Sequence, residues 1–140
     1  MNNFMVSIIV PVFNEELNVE PLLKRLVPIL KNFTYEIIFV DDGSKDKTPS
    51  VIKKQLVKNK NVKLISFYRN FGHQMALTAG YKVSKGDCVI TIDADLQDPP
   101  EIIPQMIAKW QKGAKIVYAK RNERQGESFF KKFTAKIFYQ

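Results

Sequence analysis

Short, mostly apolar runs rich in β-branched residues alternate along the chain with longer segments whose apolar residues recur at helical spacing. The run 6–12 is typical of a strand that is buried on both faces of a sheet. Leu22, Leu26 and Ile29 share one face of the helix predicted after it. The predicted strands are 6–12, 35–40, 62–67, 88–92 and 115–119, and the helices between them begin near residues 18, 48, 72 and 98.

This alternation predicts an α/β protein with a mostly parallel sheet between two layers of helices, a three-layer αβα architecture. Pro28 predicts a kink or a break in the first helix, since proline lacks the amide donor. Thr48 and Asp98, each followed by a proline, are predicted to cap the second and fourth helices. Ligands of such sheets bind beyond the carboxyl ends of the strands, so we expect the functional residues there.

Composition narrows the class of protein. With 140 residues, 45% of them hydrophobic, the chain suits one domain and excludes disordered, collagen-like and coiled-coil proteins. A single cysteine, Cys88, excludes an intramolecular disulfide framework and fits a reducing compartment. The net charge of +8 predicts an anionic partner. Neither a secretory signal nor an apolar run of about 20 residues is evident, so we expect a cytoplasmic protein.

Acidic residues follow three of the predicted strands. Asp93 and Asp95 are two residues apart in an extended segment, so their side chains project on the same side. Such a pair suits Mg²⁺ or Mn²⁺ that also binds phosphate oxygens, and Gln97 would project the same way if the chain stayed extended. In the alternative interpretation, Asp95 and Asp98 only cap the next helix.

The acidic segments after the first two strands leave two interpretations open. Asp41 and Asp42, followed by Gly43 and Ser44, are typical of a turn, but a carboxylate there could also receive donors of a base or ribose. The segment 14–16 could likewise be a solvated helix start or part of a binding loop.

Four motifs occur in order along the chain: VSIIVPVFNEE (6–16), FVDDGS (39–44), RNFGHQ (69–74) and DADLQDPPE (93–101). Together they make the chain resemble glycosyltransferase family 2, and within it the polyprenyl-phosphate (dolichol- or undecaprenyl-phosphate) sugar transferases. The resemblance implies the GT-A fold, a Rossmann-like nucleotide-diphosphosugar transferase fold, and it covers the chain from Val6 onward.

The resemblance also implies roles for single residues. It implies that Asp93, Asp95 and Gln97 bind the metal ion, Mg²⁺ or Mn²⁺. Arg121 resembles the family's basic residue near the donor phosphate, with Arg69 and Arg124 as weaker candidates, so Asp93, Asp95 and Arg121 are the expected catalytic residues. The nucleotide-binding residues implied by the resemblance are Pro11, Phe13, Glu15, Asp41, Asp42, Asp93 and Ala94.

The predicted reaction is the metal-dependent, inverting transfer of a hexosyl group from a UDP- or GDP-sugar to a polyprenyl phosphate, for cell-wall, polysaccharide or glycoprotein assembly. A phosphate acceptor is already anionic, so no strong general base is needed, and a structural role is adequate for His73. A family 2 enzyme with a saccharide hydroxyl acceptor is one alternative, and a nucleotidyltransferase is another. No nucleic-acid partner is expected, because the aromatic residues lie mostly on predicted helix faces.

The predicted domain boundary lies after the fifth strand. Residues 1–119 are expected to form the nucleotide-sugar-binding core, and residues 120–140 a basic linker and the start of an amphipathic helix. That helix suits either a membrane surface or the chain's own domain. Members of the family continue further, with acceptor-binding and often transmembrane parts. We therefore expect a catalytic-domain fragment with little activity alone, from a protein on the cytoplasmic face of a membrane, and oligomerisation stays open.

Overall fold

Strands and helices alternate along residues 4–120, the part of the chain that the structure, a computed structural model, describes. The strands are β1 (Met5–Val12), β2 (Thr34–Asp41), β3 (Val62–Ser66) and β4 (Cys88–Thr91). The helices are α1 (Val19–Leu30), α2 (Thr48–Lys58), α3 (His73–Val83) and α4 (Ile103–Gln111), with a 3₁₀ turn (Pro100–Ile102) immediately before α4. The first four predicted strands and all four predicted helices are confirmed.

The described strands form one parallel sheet in the order β3–β2–β1–β4. From β1 the chain proceeds outward to β2 and β3, and then returns to place β4 on the other side of β1. Val12 lies opposite Asp41 on β2, and Ile9 lies opposite Thr91 on β4. The strand order therefore reverses at β1, and a crevice opens between the carboxyl ends of β1 and β4, where ligands of such sheets bind.

Alternate residues of the central strand bury against different helical layers. Ile8 of β1 belongs to the cluster that contains Leu22 and Leu26 of α1, together with residues of α2 and α4. Ile9 points to the opposite face, where it packs with Ala76 of α3. A Cβ at Gly80 of α3 would lie only 2.5 Å from the Cγ2 of Ile9, so glycine allows this close packing. The predicted three-layer αβα architecture is confirmed.

The predicted fifth strand is wrong. Residues 115–119 form no strand, and Ile116 and Tyr118 are 84% and 82% exposed. An apolar run favours an extended backbone, but a strand also needs a hydrogen-bonded neighbour. In residues 4–120, segment 115–119 pairs with none of the four strands. Instead, this segment borders a groove of about 580 Å³ beside β4.

Two helix starts and one helix interior also differ from the sequence expectation. Thr48 is the first residue of α2 rather than its cap, and Asp46 accepts a hydrogen bond from the Thr48 amide at 2.9 Å. The fourth helix begins later than expected: a 3₁₀ turn with Pro99, not Asp98, at its cap position precedes it, and Glu101 of that turn pairs with Arg25 of α1 at 2.6 Å. Helix α1 continues without a break through Pro28, which is exposed. Proline removes only one backbone hydrogen bond of the helix, the one that its own amide would have donated.

A buried carboxylate organises the amino ends of the strands, opposite the crevice. Glu36 of β2 is 1% exposed and accepts hydrogen bonds from the hydroxyl of Ser7 at 2.6 Å, the amide of Lys85 at 2.7 Å and the ammonium of Lys63. Ser7 in turn accepts from the amide of Gly86 at 2.8 Å. Burial alone would raise the pKa of Glu36, but these donors outweigh it and hold the pKa below its usual value. This network ties the turn between α3 and β4 to the sheet.

None of the helices in residues 4–120 combines the length and the apolar character needed to cross a membrane.

Candidate functional site

A cleft of about 440 Å³ lies at the carboxyl ends of β1 and β4, at the point where the strand order reverses. Its wall combines the ends of three strands with the start of α3, so residues far apart in sequence meet there. The lining residues are Pro11, Val12, Phe13, Glu15, Asp42, Asn70, Gly72, His73, Ala76, Asp93, Ala94 and Asp95. Most of the predicted site residues therefore lie around one cavity.

The end of β4 contributes two exposed carboxylates to the cleft. Asp93 and Asp95 are exposed, while Ala94 between them is 3% exposed, as expected for neighbours that alternate in an extended segment. The chain then turns at Leu96, whose φ of 61° is left-handed, and the Gln97 amide donates to Oδ1 of Asp95 at 3.0 Å. The turn ends the extended run, and Gln97 does not line the cleft.

In residues 4–120, no group of three or more His, Cys, Asp and Glu side chains is placed so that it could hold a metal ion. The structure thus brings together the two predicted carboxylate ligands, Asp93 and Asp95, without a third of these residue types. The part of Gln97 in metal binding stays a prediction.

The two carboxylates at the end of β2 have different surroundings. Asp41 is 2% exposed, accepts a hydrogen bond from the Ser44 amide at 3.1 Å and does not line the cleft. Asp42 is 4% exposed and lines the cleft, and it accepts hydrogen bonds from the amides of Phe71 at 2.7 Å and Gly72 at 2.9 Å. The turn interpretation thus describes Asp41, whereas Asp42 holds the segment before α3 against the sheet.

Gly43 allows this segment to approach the sheet closely. Its φ of 73° is left-handed, and a Cβ on Gly43 would lie 2.4 Å from the carbonyl carbon of Arg69. Any other residue would strain the backbone and collide with that of Arg69. Gly43 and Asp42 therefore fix the segment 69–72 as a wall of the cleft.

Backbone and side-chain hydrogen bonds join the loops after β1 and β2. The amide of Asn14 donates to the Ser44 hydroxyl at 2.9 Å, and its side-chain oxygen accepts from the Lys45 amide at 2.8 Å. The amide of Glu15 donates to the Thr48 hydroxyl at 2.8 Å. Further on, the amide of Glu16 donates to Asp46, and its carboxylate accepts from the Lys47 amide. The segment 14–16 is thus part of a paired loop rather than a solvated helix start.

These loop contacts also set the charge of Asp46. Burial raises the pKa of its carboxyl, but hydrogen bonds from Thr48 and from the Glu16 amide outweigh burial, so the pKa lies below its usual value. Asp46 is therefore ionised at neutral pH and acts as a fixed acceptor between the two loops.

Three of the predicted nucleotide-binding residues line the cleft at the end of β1 and in the loop after it. Pro11 lies near the end of β1, and Phe13, which is 41% exposed, follows that strand. The Glu15 carboxylate accepts a hydrogen bond from the Asn18 side-chain amide at 2.6 Å. A partly exposed ring above a cleft offers an apolar face to a planar ligand.

Sequence reasoning missed the contribution of the segment that leads into α3. Asn70, Gly72, His73 and Ala76 all line the cleft, and His73 is exposed at the start of the helix. The signal was present in the motif RNFGHQ, but the sequence analysis considered only His73 and, as a weaker candidate for the basic residue near the donor phosphate, Arg69. Arg121, the predicted basic residue near the phosphate, lies outside the described residues.

Comparison with known proteins assigns the family. A family model described as "Glycosyl transferase family 2" matches residues 7–139, which is nearly the whole chain. The chain belongs to glycosyl transferase family 2. The family predicted from the four motifs is thereby confirmed.

Curated relatives carry names of the predicted branch. The chain is 47% identical over 137 residues to the prophage bactoprenol glucosyl transferase homolog of Escherichia coli K12, covering 96% of this chain and 45% of that protein. It is 39% identical over 135 residues to the undecaprenyl-phosphate 4-deoxy-4-formamido-L-arabinose transferase of Proteus mirabilis, covering 94% and 41%. The chain spans less than half the length of each of these relatives.

A solved structure confirms the GT-A fold. Glucosyl-3-phosphoglycerate synthase from Mycobacterium tuberculosis, in complex with Mn²⁺, UDP and phosphoglyceric acid, superposes with a TM-score of 0.69 at 23% identity. The match covers 89% of this chain and 45% of that one. At this identity the comparison establishes the fold of the chain, and the ligands belong to the other protein.

Proposed function

We propose that the cleft binds a nucleoside diphosphate sugar with a divalent cation, as the donor site of an inverting transferase whose acceptor is a polyprenyl phosphate. The observation that carries the proposal is the exposed pair Asp93 and Asp95, after β4. This pair lines the same cleft as Pro11, Phe13 and Glu15, which lie at the end of β1 and after it. The names of the bactoprenol and undecaprenyl-phosphate relatives support the lipid acceptor.

The donor set suits Mg²⁺ or Mn²⁺. Two carboxylates supply hard oxygen ligands, and a cation of this type commonly completes its coordination with water and phosphate oxygens rather than with further side chains. The chain lacks a cluster of softer ligands in residues 4–120, where Cys88 is buried. The Asp93 and Asp95 carboxylates repel each other, and binding a cation would offset this repulsion. When bound, the metal would offset the charge that grows on the departing nucleoside diphosphate.

The remaining wall would orient the nucleotide. Phe13 offers its ring to a base, and the buried Ala94 between the two carboxylates leaves room for the ribose. Asp42 acts by holding the segment 69–72 in place, since both of its oxygens already accept backbone hydrogen bonds. For Asp41, whose carboxylate accepts a hydrogen bond within its own turn, we propose an indirect role, in which it fixes the shape of the turn that lies beside the base. Arg121 would add a fixed positive charge beside the donor phosphates.

The nature of the acceptor determines whether the site needs a general base to remove a proton from it. A phosphate acceptor attacks as an anion, so the cleft needs to exclude water and align the acceptor rather than remove a proton. Inversion follows if the acceptor attacks the sugar from the side opposite the leaving nucleoside diphosphate.

One observation favours a second candidate acceptor, a saccharide hydroxyl. That acceptor requires a general base, and the exposed imidazole of His73 lies in the cleft. The two candidates predict different results for His73→Gln in the longer enzyme. With a phosphate acceptor kcat changes less than about threefold, whereas loss of a general base lowers it about 100-fold or more.

Calorimetric titration of the chain with UDP and GDP tests the donor proposal. We expect binding in the presence of Mn²⁺ or Mg²⁺, strong weakening with EDTA, and tighter binding of UDP than of GDP. Asp93→Asn and Asp95→Asn should each weaken metal-assisted binding by about tenfold or more, because each removes a charged ligand. Asp87→Asn is the matched control, since Asp87 precedes β4 at its other end, where it accepts a hydrogen bond from the Met5 amide.

Two results would contradict the donor proposal. One is the absence of binding to both nucleotides, and the other is binding that neither EDTA nor the Asp93 and Asp95 variants weaken.

A further inference from the structure

An aromatic and cationic cluster lies on the segment between β3 and α3, and we call its residues Tyr68, Arg69 and Phe71 the rim cluster. The Cζ of Arg69 is 4.3 Å from the centroid of the Phe71 ring and 5.7 Å from that of the Tyr68 ring. The Nε of Arg69 also donates to the Tyr68 hydroxyl at 3.2 Å. These contacts hold the planar guanidinium in a defined position, as cation–π contacts of arginine do.

Arg69 has no acidic partner in residues 4–120. The two salt bridges of that part of the chain join Arg25 to Glu101 and Lys63 to Glu36. An arginine that is held by aromatic rings and lacks a carboxylate keeps donors for an external anion. Its fork of N–H groups matches the oxygens of a phosphate.

The rim cluster is rigid and borders the cleft. Asp42 fixes the amides of Phe71 and Gly72, and the backbone of Arg69 rests against Gly43. The Phe71 ring also packs edge-on against Phe67 and Tyr68, with centroid distances of 5.5 Å and 5.2 Å. Asn70 and Gly72, which precede and follow Phe71 in the sequence, line the cleft itself. An anion bound by Arg69 would therefore lie at the edge of the donor site.

We propose that Arg69 binds the phosphate of the acceptor lipid and that the Tyr68 ring contacts the first apolar units of its chain. Tyr68 is 83% exposed, so an apolar surface adjoins the cation, and a prenyl phosphate presents the same combination of anion and adjoining hydrocarbon. The exposed ring favours the acceptor over the donor, because the donor phosphates adjoin a ribose and a sugar rather than hydrocarbon. The inference rests on the proposed function and adds the acceptor contact to it.

Titration of the chain with farnesyl phosphate, followed by calorimetry, tests the rim cluster. Arg69→Gln should weaken binding of farnesyl phosphate about tenfold or more, while the affinity for UDP with Mn²⁺ stays within about twofold. Arg69→Lys should fall between wild type and Arg69→Gln, because lysine keeps the charge without the planar fork. Lys53→Gln, which removes an exposed cation on α2, is the matched control and should bind both ligands as wild type does. Farnesol should bind the wild type and Arg69→Gln equally.

Three outcomes overturn this inference. They are the absence of farnesyl phosphate binding by the wild type, unchanged binding by Arg69→Gln, and an equal loss of UDP affinity, which would place Arg69 at the donor phosphates. Retained UDP binding by the variant shows that it is folded. Wild-type binding of UDP with Mn²⁺ keeps the donor proposal standing when the acceptor contact fails, so the two failures are distinguishable.

Discussion

Both ends of the parallel sheet carry carboxylates, but these differ in burial and in the number of hydrogen-bond donors around them. At the amino end, Glu36 is 1% exposed and three donors surround it. At the carboxyl end, Asp93 and Asp95 are exposed neighbours, and neither takes part in a salt bridge of residues 4–120. A buried charge must be matched by the protein itself, whereas a pair of exposed like charges is tolerable because solvent or a ligand can offset it. The difference separates a carboxylate whose charge the fold itself satisfies from carboxylates that the fold leaves open to solvent.

Asp42 shows that position in the sheet does not decide the role alone. It lies at the carboxyl end and lines the cleft, but it is 4% exposed and accepts two backbone hydrogen bonds, as a structural carboxylate does. The donors around a carboxylate, rather than its place at a strand end, indicate its role.

The largest effect is expected from removing the buried carboxylate. Glu36→Ala should lower the free energy of unfolding by about 3 kcal/mol, because it leaves the Lys85 amide without its acceptor and removes the Ser7 and Lys63 contacts. Asp93→Ala, at the other end of the sheet, should change it by less than about 0.5 kcal/mol. Urea unfolding of both variants measures the difference. Equal losses in the two variants would refute the contrast between the two ends.

An intermediate effect is expected for Asp42→Ala. The variant leaves the amides of Phe71 and Gly72 without acceptors, so we expect a loss of about 2 kcal/mol in the free energy of unfolding. Release of the segment 69–72 should also weaken UDP binding, and Asp42→Asn should retain part of both properties. Urea unfolding and calorimetry are the measurements. A variant with wild-type stability and weakened nucleotide binding would instead identify Asp42 as a direct ligand.

The smallest effect at neutral and mildly acidic pH is expected from titration of Glu36. Its pKa in the folded protein lies below its usual value, so its stabilisation is fully present above the unfolded pKa of about 4.3 and is lost as the pH falls through the folded pKa. The stability difference between wild type and Glu36→Gln should stay constant from pH 7 to about pH 5 and narrow below about pH 4. Urea unfolding at each pH measures it, and a difference that widens in acid would contradict the assignment.

Much of the fold follows from local patterns. The runs that became β1 to β4 are apolar because strands of a central parallel sheet are covered on both faces, and the helices carry apolar residues at a period close to their own turn. The run 115–119 has the same composition, but a strand depends on a neighbour that no local pattern supplies. Helix starts were less predictable, since Thr48 serves as an acceptor for the loop after β1 rather than as a cap.

In the site, too, local sequence predicted some features, whereas others depended on contacts between distant segments. Asp93, Asp95 and the residues after β1 were predicted to meet because strand ends converge in any parallel α/β sheet and because the motifs resemble a known family, and they line one cleft. The role of Asp42, the exclusion of Gln97 from the lining by the left-handed turn at Leu96, and the wall formed by the segment before α3 were not foreseeable.

The sequence by itself determined the elements, their parallel arrangement and the family, because hydrophobic periodicity and short motifs act over a few residues. Only the tertiary structure decided which carboxylates are free to bind a ligand. That choice depends on donors contributed by distant segments, such as Lys85 for Glu36 and Phe71 for Asp42, and on how deeply each side chain is buried. Such contacts exist only after the chain has folded.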